Sequence, residues 1–302
     1  MTPAAGTEVR DVPSGVPAAV ATPEPGDPRL ARLSLNQATV KYWSVAQAIE
    51  GCLRAGLPAI GLWREPVAEA GLAEAARAVR DSGLRVSSYC RGGFLTGPDR
   101  AGALDDNRRA IDEAAELGAP CLVMVVGGLP AGDRDLAGAR ERVAEGIAEL
   151  APYAGERGVR LALEPLHPIF CADRAVLSTL DQALGIAERF PVSEVGVVVD
   201  AYHVWWDPRV EEQIARAGER IASFQACDWV LPLPEDQLLG RGMVGDGHAD
   251  VGRLRRVTDA AGYTGDIEVE IFNADIWNAD GHEVIATLAR RHVQYVVSTT
   301  PS

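Results

Sequence analysis

From Arg32 onward, short apolar runs alternate with longer stretches rich in Ala, Arg and Glu. The apolar runs are bounded by Gly, Pro or Asp, and several contain β-branched residues, which is typical of buried strands. This alternation restricts the fold most, because it predicts strands and helices that follow one another along the chain. The eight predicted strands are Leu33–Leu35, Ala59–Trp63, Arg85–Tyr89, Cys121–Val126, Arg160–Glu164, Val195–Asp200, Ile221–Ala226 and Ile267–Phe272.

A helical stretch follows each predicted strand, and several of these stretches are followed by a glycine, which favours the left-handed backbone at helix ends. Eight strand–helix units over roughly 270 residues predict the α/β class and a single-domain (β/α)8 TIM barrel. The predicted helices are Ser44–Ala55, Ala70–Ser82, Ala101–Leu117, Asp135–Arg157, Thr179–Phe190, Val210–Ala217, Val251–Ala261 and Glu283–Val296.

A doubly wound open sheet is the alternative fold. Its dinucleotide fingerprint would place glycines directly after the first strand, whereas this chain has Asn36-Gln37-Ala38-Thr39 there. A P-loop is also excluded, because the chain contains no GxxxxGK segment. The chain has a single lysine, Lys41, so any Schiff-base mechanism would have to use that residue.

The charge balance limits the partners. The 302 residues include 29 basic and 43 acidic side chains, which gives a net charge of −14. A phosphate backbone calls for a basic surface, so we expect no nucleic-acid partner. An anionic membrane surface is disfavoured for the same reason, and no apolar run reaches the roughly 20 residues of a membrane helix.

The domain organisation follows from composition. Residues 1–29, rich in Pro and Ala, are expected to form a disordered tail, 30–298 the barrel and 299–302 a C-terminal tail. The N-terminus has neither a basic start nor an apolar core, so we expect no signal peptide and a cytoplasmic protein. The five cysteines are scattered without a CxxC pair, which argues against a disulfide scaffold and a zinc finger.

Polar residues end four consecutive predicted strands, namely Glu164, Asp200, Gln225 and Glu270. Barrel enzymes carry their chemistry at these strand ends. A buried carboxylate is costly unless it is paired, protonated or bound to a metal. A single such residue is usually a helix cap or an ion-pair partner, but four on successive strands favour a metal site. Three carboxylates and an amide oxygen suit Mn²⁺, Mg²⁺ or Co²⁺.

Two histidines and an arginine are further candidates. His203 follows Asp200 by three residues and is a candidate for contact with substrate or a ligand carboxylate, or for a structural role. His167 follows Glu164 by three and is a candidate acid/base. Arg241, in a glycine-rich loop after the seventh strand, is a candidate clamp for a carboxylate, phosphate or hydroxyl group.

Trp63 and Trp205 lie at or beyond strand ends, where a sugar ring could stack on them. Capping of the barrel mouth is the alternative role for both.

Four segments resemble the xylose isomerase-like TIM barrels, which include sugar isomerases, ketose 3-epimerases and endonuclease IV. The resemblance covers about residues 30–297. These segments are Leu-Ala-Leu-Glu164-Pro, Val-Val-Asp200-Ala-Tyr-His203, Phe-Gln225-Ala-Cys-Asp and Glu-Val-Glu270-Ile-Phe.

The resemblance implies that Glu164, Asp200, Gln225 and Glu270 bind one divalent cation, with Mn²⁺ as first choice and Mg²⁺, Co²⁺ or Zn²⁺ as alternatives. It further implies that Glu164 and Glu270 move a proton α to a carbonyl of a small sugar or other polyhydroxy compound, through an enediolate. A homo-oligomer is implied as well.

The chain departs from the family pattern in two places. Many carbohydrate epimerases of the family have a glutamate six residues after the first metal glutamate, whereas this chain has Phe170. The early strand ends also lack the histidines of endonuclease IV, so a DNA-repair role is not expected. Two alternatives to an isomerase remain open: a lyase or dehydratase that uses the same enolate, and a barrel subunit that depends on a partner.

Overall fold

The computed structural model describes residues 19–297. Eight parallel strands close into a barrel in which neighbours in the chain are neighbours in the sheet, and the last strand pairs with the first. The predicted (β/α)8 barrel is therefore confirmed. Its strands are β1 (Leu33–Asn36), β2 (Ala59–Trp63), β3 (Arg85–Gly93), β4 (Cys121–Val125), β5 (Arg160–Leu163), β6 (Val195–Asp200), β7 (Ile221–Ala226) and β8 (Ile267–Val269).

Helices surround the barrel, and a short antiparallel pair, Asp228–Trp229 with Arg241–Gly242, lies after β7. A π-helical turn, His292–Val297, ends the described chain. The α-helices are α1 (Val45–Ala55), α2 (Arg64–Ala70), α3 (Leu72–Ser82), α4 (Arg100–Leu117), α5 (Leu136–Glu156), α6 (Leu180–Ala187), α7 (Ala201–Val204), α8 (Val210–Ala217), α9 (Val251–Ala260), α10 (Ala274–Asn278) and α11 (Gly281–Arg291).

Individual side chains and one glycine set the boundaries of the first three helices. Ser44 begins α1 with a capping box, in which its hydroxyl accepts from the Gln47 N–H and its own N–H donates to Gln47 Oε1. The predicted helix Ala70–Ser82 corresponds to α3, and the structure adds a helix that was not predicted, α2, directly before it. Gly71, with φ of 84°, separates them, because that conformation cannot continue a helix.

Three strands, β4, β5 and β8, end earlier than predicted, and the differences at β5 and β8 concern the site. β5 ends at Leu163 and β8 at Val269, so Glu164 and Glu270 lie just beyond the ladder. At β8 the reason is Thr39, whose hydroxyl donates to the Val269 carbonyl and accepts from the Ile271 N–H. The side chain of Thr39 takes the place of a neighbouring strand at this point.

The barrel interior has an apolar and a polar layer. Small buried side chains, Cys90, Cys121, Val123, Ala162 and Val198, form one cluster. The polar layer is a row of cross-strand partners, in which Ser34 pairs with Glu268, Glu268 with Gln225 and Gln225 with Asp200. All members of this row are buried.

The chain ends are described in part. Of the predicted tail 1–29, residues 1–18 lie outside the described residues, as do 298–302. Pro28–Leu30 forms a turn of 3₁₀ helix capped by Asp27. Between residues 19 and 297, no helix combines the length and apolar character that crossing a bilayer requires.

Gly61 in β2 leaves room for the Glu268 carboxylate, because a Cβ at Gly61 would lie 2.6 Å from Glu268 Oε2. Since hydrogen bonds hold that carboxylate, we expect Gly61→Ala to lower the free energy of unfolding by about 1–3 kcal/mol. Urea denaturation would measure it. Gly185→Ala is the matched control, because nothing lies within 4 Å of an added Cβ on that helix. Equal stabilities of the two variants would contradict this packing.

Candidate active site

A cleft of about 180 Å³ opens at the end of the barrel where the strands finish. Glu164 follows β5 directly and Glu270 follows β8, and both line this cleft although each is 5% exposed or less. His203 and Arg241 line it too, so four predicted site residues meet there. Trp63, the fifth, forms part of the apolar wall.

Asp200 and Gln225 belong to the buried polar row inside the barrel, and neither is exposed. Their strands place them as cross-strand partners. Asp200 ends β6 and caps α7, since its Oδ1 accepts from the Tyr202 N–H at 2.8 Å. The end of a buried strand and the start of a helix thus fix this carboxylate from both sides.

Arg241 lies between two of the predicted metal ligands. Its Nη1 donates to Glu270 Oε2 at 2.6 Å and to Asp200 Oδ2 at 3.2 Å. The guanidinium carbon is also 5.0 Å from the ring centroid of Tyr202 and 4.8 Å from that of Phe272. Arg241 is 3% exposed, so this is a buried charge in contact with two carboxylates.

The loop that carries Arg241 is held in place rather than free. Asn273 Nδ2 donates to the Arg241 carbonyl at 2.9 Å, and Arg241 pairs with Trp229 in the short antiparallel ladder. Asp228, which is buried, accepts from the backbone N–H groups of Gly245 and Ala249. These contacts fix the backbone of Arg241 beside the cleft.

Burial sets the proton affinity of the carboxylates. It raises the pKa of Glu270 to about 7, and the charge of Arg241 opposes this rise. Burial, followed by the nearby charges of Glu270 and Asp200, raises the pKa of Glu164 well above its usual range. The pKa of Asp200 is raised by burial as well, again with Arg241 in opposition. Three buried carboxylates against one guanidinium make the site attract a cation.

Two oxygen atoms of the site are buried without a hydrogen-bond partner in the described chain, Glu164 Oε1 and Gln225 Oε1. Such atoms are costly unless something else satisfies them. Ligand atoms of Glu164, Asp200 and His203 lie within 4.8 Å of one another. Oxygen donors with excess negative charge fit a hard divalent cation, so the residues present suit the metal that the family resemblance implies.

His203 is 1% exposed and contacts both the cleft and the carboxylates. Its Nδ1 accepts from the backbone N–H of His167 at 3.1 Å. Its Nε2 lies 3.1 Å from Arg241 Nη2 and 3.7 Å from Asp200 Oδ2. Burial and the Arg241 charge lower the pKa of His203 well below its usual value, which keeps the ring neutral.

His167 and Trp205 lie in an adjoining aromatic cluster. The His167 ring packs against Trp206 and Trp229, with ring centroids 5.6 and 4.5 Å apart. Burial lowers the pKa of His167 to about 4. Trp205 also packs on Trp229, at 5.9 Å. The backbone N–H of His167 donates a hydrogen bond to His203, whereas the His167 ring packs among aromatic rings.

One buried residue of the site was not predicted from the sequence, the carboxylate Glu268. It accepts a hydrogen bond from Gln225 Nε2 at 3.2 Å. The alternation of side chains along a strand could have revealed it. Glu268 and Glu270 are two residues apart and therefore face the same side.

Residues 47–292 match the family model described as xylose isomerase-like TIM barrel, and the chain belongs to this family. A comparison with curated protein sequences finds no significant match.

Solved structures give the same architecture. A crystal structure of a protein from Sinorhizobium meliloti 1021 is 50% identical, with a TM-score of 0.85, and the match covers 88% of this chain and 98% of that one. The IolI protein with a bound zinc atom is 19% identical, with a TM-score of 0.75 and coverage of 88% and 98%. D-Psicose 3-epimerase in the presence of D-fructose is 18% identical, with a TM-score of 0.69 and coverage of 87% and 96%.

The buried position of Arg241 generates a prediction about stability. Arg241→Met leaves Asp200 and Glu270 buried without their cation, so we expect a loss of about 3–5 kcal/mol at about pH 8. Arg241 opposes the rise in the pKa of both carboxylates, so both pKa values rise further in the variant. Protonation at about pH 5 then removes their charge, and the loss shrinks.

Urea denaturation at the two pH values would measure this difference. Arg91→Met is the control, because Arg91 lines the same cleft and forms no ion pair among residues 19–297. We expect it to change the unfolding free energy by about 0.5 kcal/mol or less at either pH. A pH-independent loss in Arg241→Met would contradict the assigned role of its charge.

Proposed function

We propose that this protein is a divalent-metal-dependent isomerase or epimerase of a small sugar or other polyhydroxy carbonyl compound. The observation that carries the proposal is the pair Glu164 and Glu270, two buried carboxylates in the wall of one cleft with Arg241 beside them. The reaction is removal of a proton α to a carbonyl, followed by its return, with an enediolate between the two steps.

The residues that would hold the metal are Glu164, Asp200, Gln225 and Glu270, with Mn²⁺ as first choice and Mg²⁺, Co²⁺ or Zn²⁺ as alternatives. The unpartnered oxygens of Glu164 and Gln225 support this set. The zinc atom named for the IolI protein supports a metal in this family. A divalent cation at such a site stabilises negative charge that develops on substrate oxygens.

The two glutamates are suited to move the proton. Glu164 and Glu270 follow β5 and β8, which are three strands apart in an eight-stranded ring, so they face the cleft from different sides. Both carboxylates line the cleft, so each can accept a proton from a substrate bound there and return it.

The size and lining of the cleft support a small polar substrate. Its volume of about 180 Å³ is below the roughly 300–1,000 Å³ of pockets for drug-sized ligands. Arg241 and His203 offer polar contacts to hydroxyl or carbonyl oxygens, and Trp63 offers an aromatic wall. The D-fructose and D-allulose in two neighbouring epimerase structures support the sugar class. A homo-oligomer and a cytoplasmic location stay predictions.

The first test is metal content. We expect elemental analysis of the purified chain to find about one Mn, Co, Mg, Fe or Zn per chain, and none in the Glu164→Ala/Asp200→Ala double variant. Asp173→Ala is the control, because Asp173 lines the same cleft but its side chain is 62% exposed. A wild-type chain that stays metal-free after reloading and desalting would rule out the proposed mechanism.

A lyase or dehydratase that uses the same enolate is the second candidate. The observation that favours it is Phe170, which is buried and presents its ring against His203 with centroids 5.7 Å apart. Many carbohydrate epimerases of the family have a glutamate at that position, whereas a phenyl ring can neither accept nor donate a proton.

Product mass separates the two reactions. With ketoses, inososes or 3-oxo-glycosides as substrates, we expect a product equal in mass to the substrate, because an isomerase loses no atoms. We expect Glu270→Gln to lower turnover by about 10²–10⁴-fold. A product lighter by water or by a leaving group would establish the lyase instead. Full turnover by a metal-loaded Glu270→Gln protein would contradict the role of this carboxylate.

A further inference from the structure

The Glu268 carboxylate lies inside the barrel and has a donor on every side. It is not exposed to solvent. Its Oε1 accepts from Asn36 Nδ2 at 2.6 Å and from Gln225 Nε2 at 3.2 Å. Its Oε2 accepts from Ser88 Oγ at 2.8 Å and from Ser87 Oγ. Four side chains from β1, β3 and β7 thus converge on one group of β8.

This carboxylate does not belong to the set of metal ligands. Cys90, Glu268 and Glu270 bring ligand atoms within 4.8 Å of one another, which on distance alone resembles a second cation site. Both oxygens of Glu268 are already occupied by hydrogen-bond donors, whereas a cation needs free oxygen lone pairs. Glu268 therefore acts on its neighbours as an acceptor.

The neighbour that matters most is Gln225. Its amide carries an acceptor oxygen and a donor nitrogen on one rigid plane, so the direction of one fixes the direction of the other. The Glu268 carboxylate can only accept hydrogen bonds, so the Gln225 amide turns its nitrogen toward Glu268. The oxygen then points away from Glu268, and it is buried without a hydrogen-bond partner among the described residues.

We propose that Glu268 is a positioning residue that turns the oxygen of the Gln225 amide, and not its nitrogen, toward the metal. This inference rests on the proposed function. Without an acceptor at 268, the amide could present its nitrogen to the cation, and an NH₂ group is not a ligand. The residue acts through Gln225 and touches neither substrate nor metal.

The same carboxylate links this ligand to the cleft wall. Asn36 donates to Glu268 with its nitrogen, and its oxygen accepts from Trp63 Nε1 at 2.7 Å and from the Ala38 N–H at 2.9 Å. The amide of Asn36 is therefore oriented by the same acceptor as that of Gln225. One buried group sets the direction of a metal ligand and of an indole that lines the cleft.

The test compares two substitutions by calorimetric titration of the metal-free protein with Mn²⁺. Glu268→Leu removes the acceptor, and we expect the Kd for Mn²⁺ to rise by about 10–100-fold. Glu268→Gln is the matched control, because its amide oxygen can still accept from Asn36 and Gln225 while its nitrogen donates to the serine hydroxyls. We expect its Kd to stay within about threefold of wild type.

Ser87→Ala separates positioning from general destabilisation. It removes one donor to Glu268 and leaves the acceptor for Gln225, so we expect a lower melting temperature with an unchanged Kd. A double-variant cycle adds a second check. In a Gln225→Ala background, Glu268→Leu should weaken Mn²⁺ no further, because no amide is left to orient. Equal Kd values for wild type and Glu268→Leu, or independent effects of the two substitutions, would overturn the proposal.

A measurement on the wild-type chain covers the case in which Glu268→Leu does not fold. The side-chain amide protons of Gln225, assigned by comparison with Gln225→Ala, should exchange with water at least about tenfold more slowly than those of exposed Gln237. One of them should also be shifted downfield by the carboxylate. Exchange as fast as that of Gln237 would overturn the positioning role. A wild-type chain that binds no Mn²⁺ but shows the downfield-shifted amide proton would contradict the proposed function and leave the hydrogen bond from Gln225 to Glu268 established.

Discussion

Three carboxylates, those of Glu164, Asp200 and Glu270, are buried around the single guanidinium of Arg241. Removal of an ion from water costs several kcal/mol even after relaxation, so this arrangement persists only because the charges face one another. The compensation is incomplete, since the pKa values of all three acids remain raised. Three acids with one guanidinium leave oxygen atoms available at the end of the barrel, and a cation bound there would compensate their ionised forms.

The loop after β7 depends on the same interaction. Arg241 reaches the carboxylates because its backbone is tied to Asn273 and paired with Trp229. Asp228 holds the rest of the loop through the N–H groups of Gly245 and Ala249. The order of a long connection and the electrostatics of the site are therefore coupled.

The sequence predicted the barrel and most of the cleft for a simple reason. In a parallel barrel, the residue that ends an apolar run arrives at the same rim as its counterparts, whatever the intervening helices do. Glu164, Asp200 and Glu270 could be found in this way without knowledge of any contact. The ends of helices and strands were less predictable, because single features such as the φ of Gly71 or the Thr39 hydroxyl set them.

The contacts between strands could not be predicted in the same way. Register shifts interrupt three strand pairs, between Ile60 and Leu62, between Cys90 and Gly92 and between Val197 and Val198. Each shift changes which side chains meet, and no local pattern reveals it. Alternation places Glu268 inside the barrel, but its contact with both Ser87 and Ser88 occurs where the register between β2 and β3 shifts. The packing of His167 against Trp206 and Trp229 likewise depends on three segments, after β5, β6 and β7, that come together only in the fold.

The buried polar row inside the barrel and the carboxylates of the cleft differ in how completely their hydrogen bonds are satisfied. In the buried polar row, the Glu268 carboxylate has its full set of donors. Gln225 has a partner for its nitrogen but none for its oxygen among the described residues. At the cleft, Glu164 Oε1 has no hydrogen-bond partner among the described residues, and burial raises the pKa of Glu270 to about 7. A carboxylate with all its donors, such as Glu268, resists rearrangement, whereas the unpartnered oxygens of Gln225 and Glu164 stay free to bind a cation. Glu268 and Glu270 are two residues apart, so the fully hydrogen-bonded carboxylate holds the segment of chain that carries the carboxylate of the cleft.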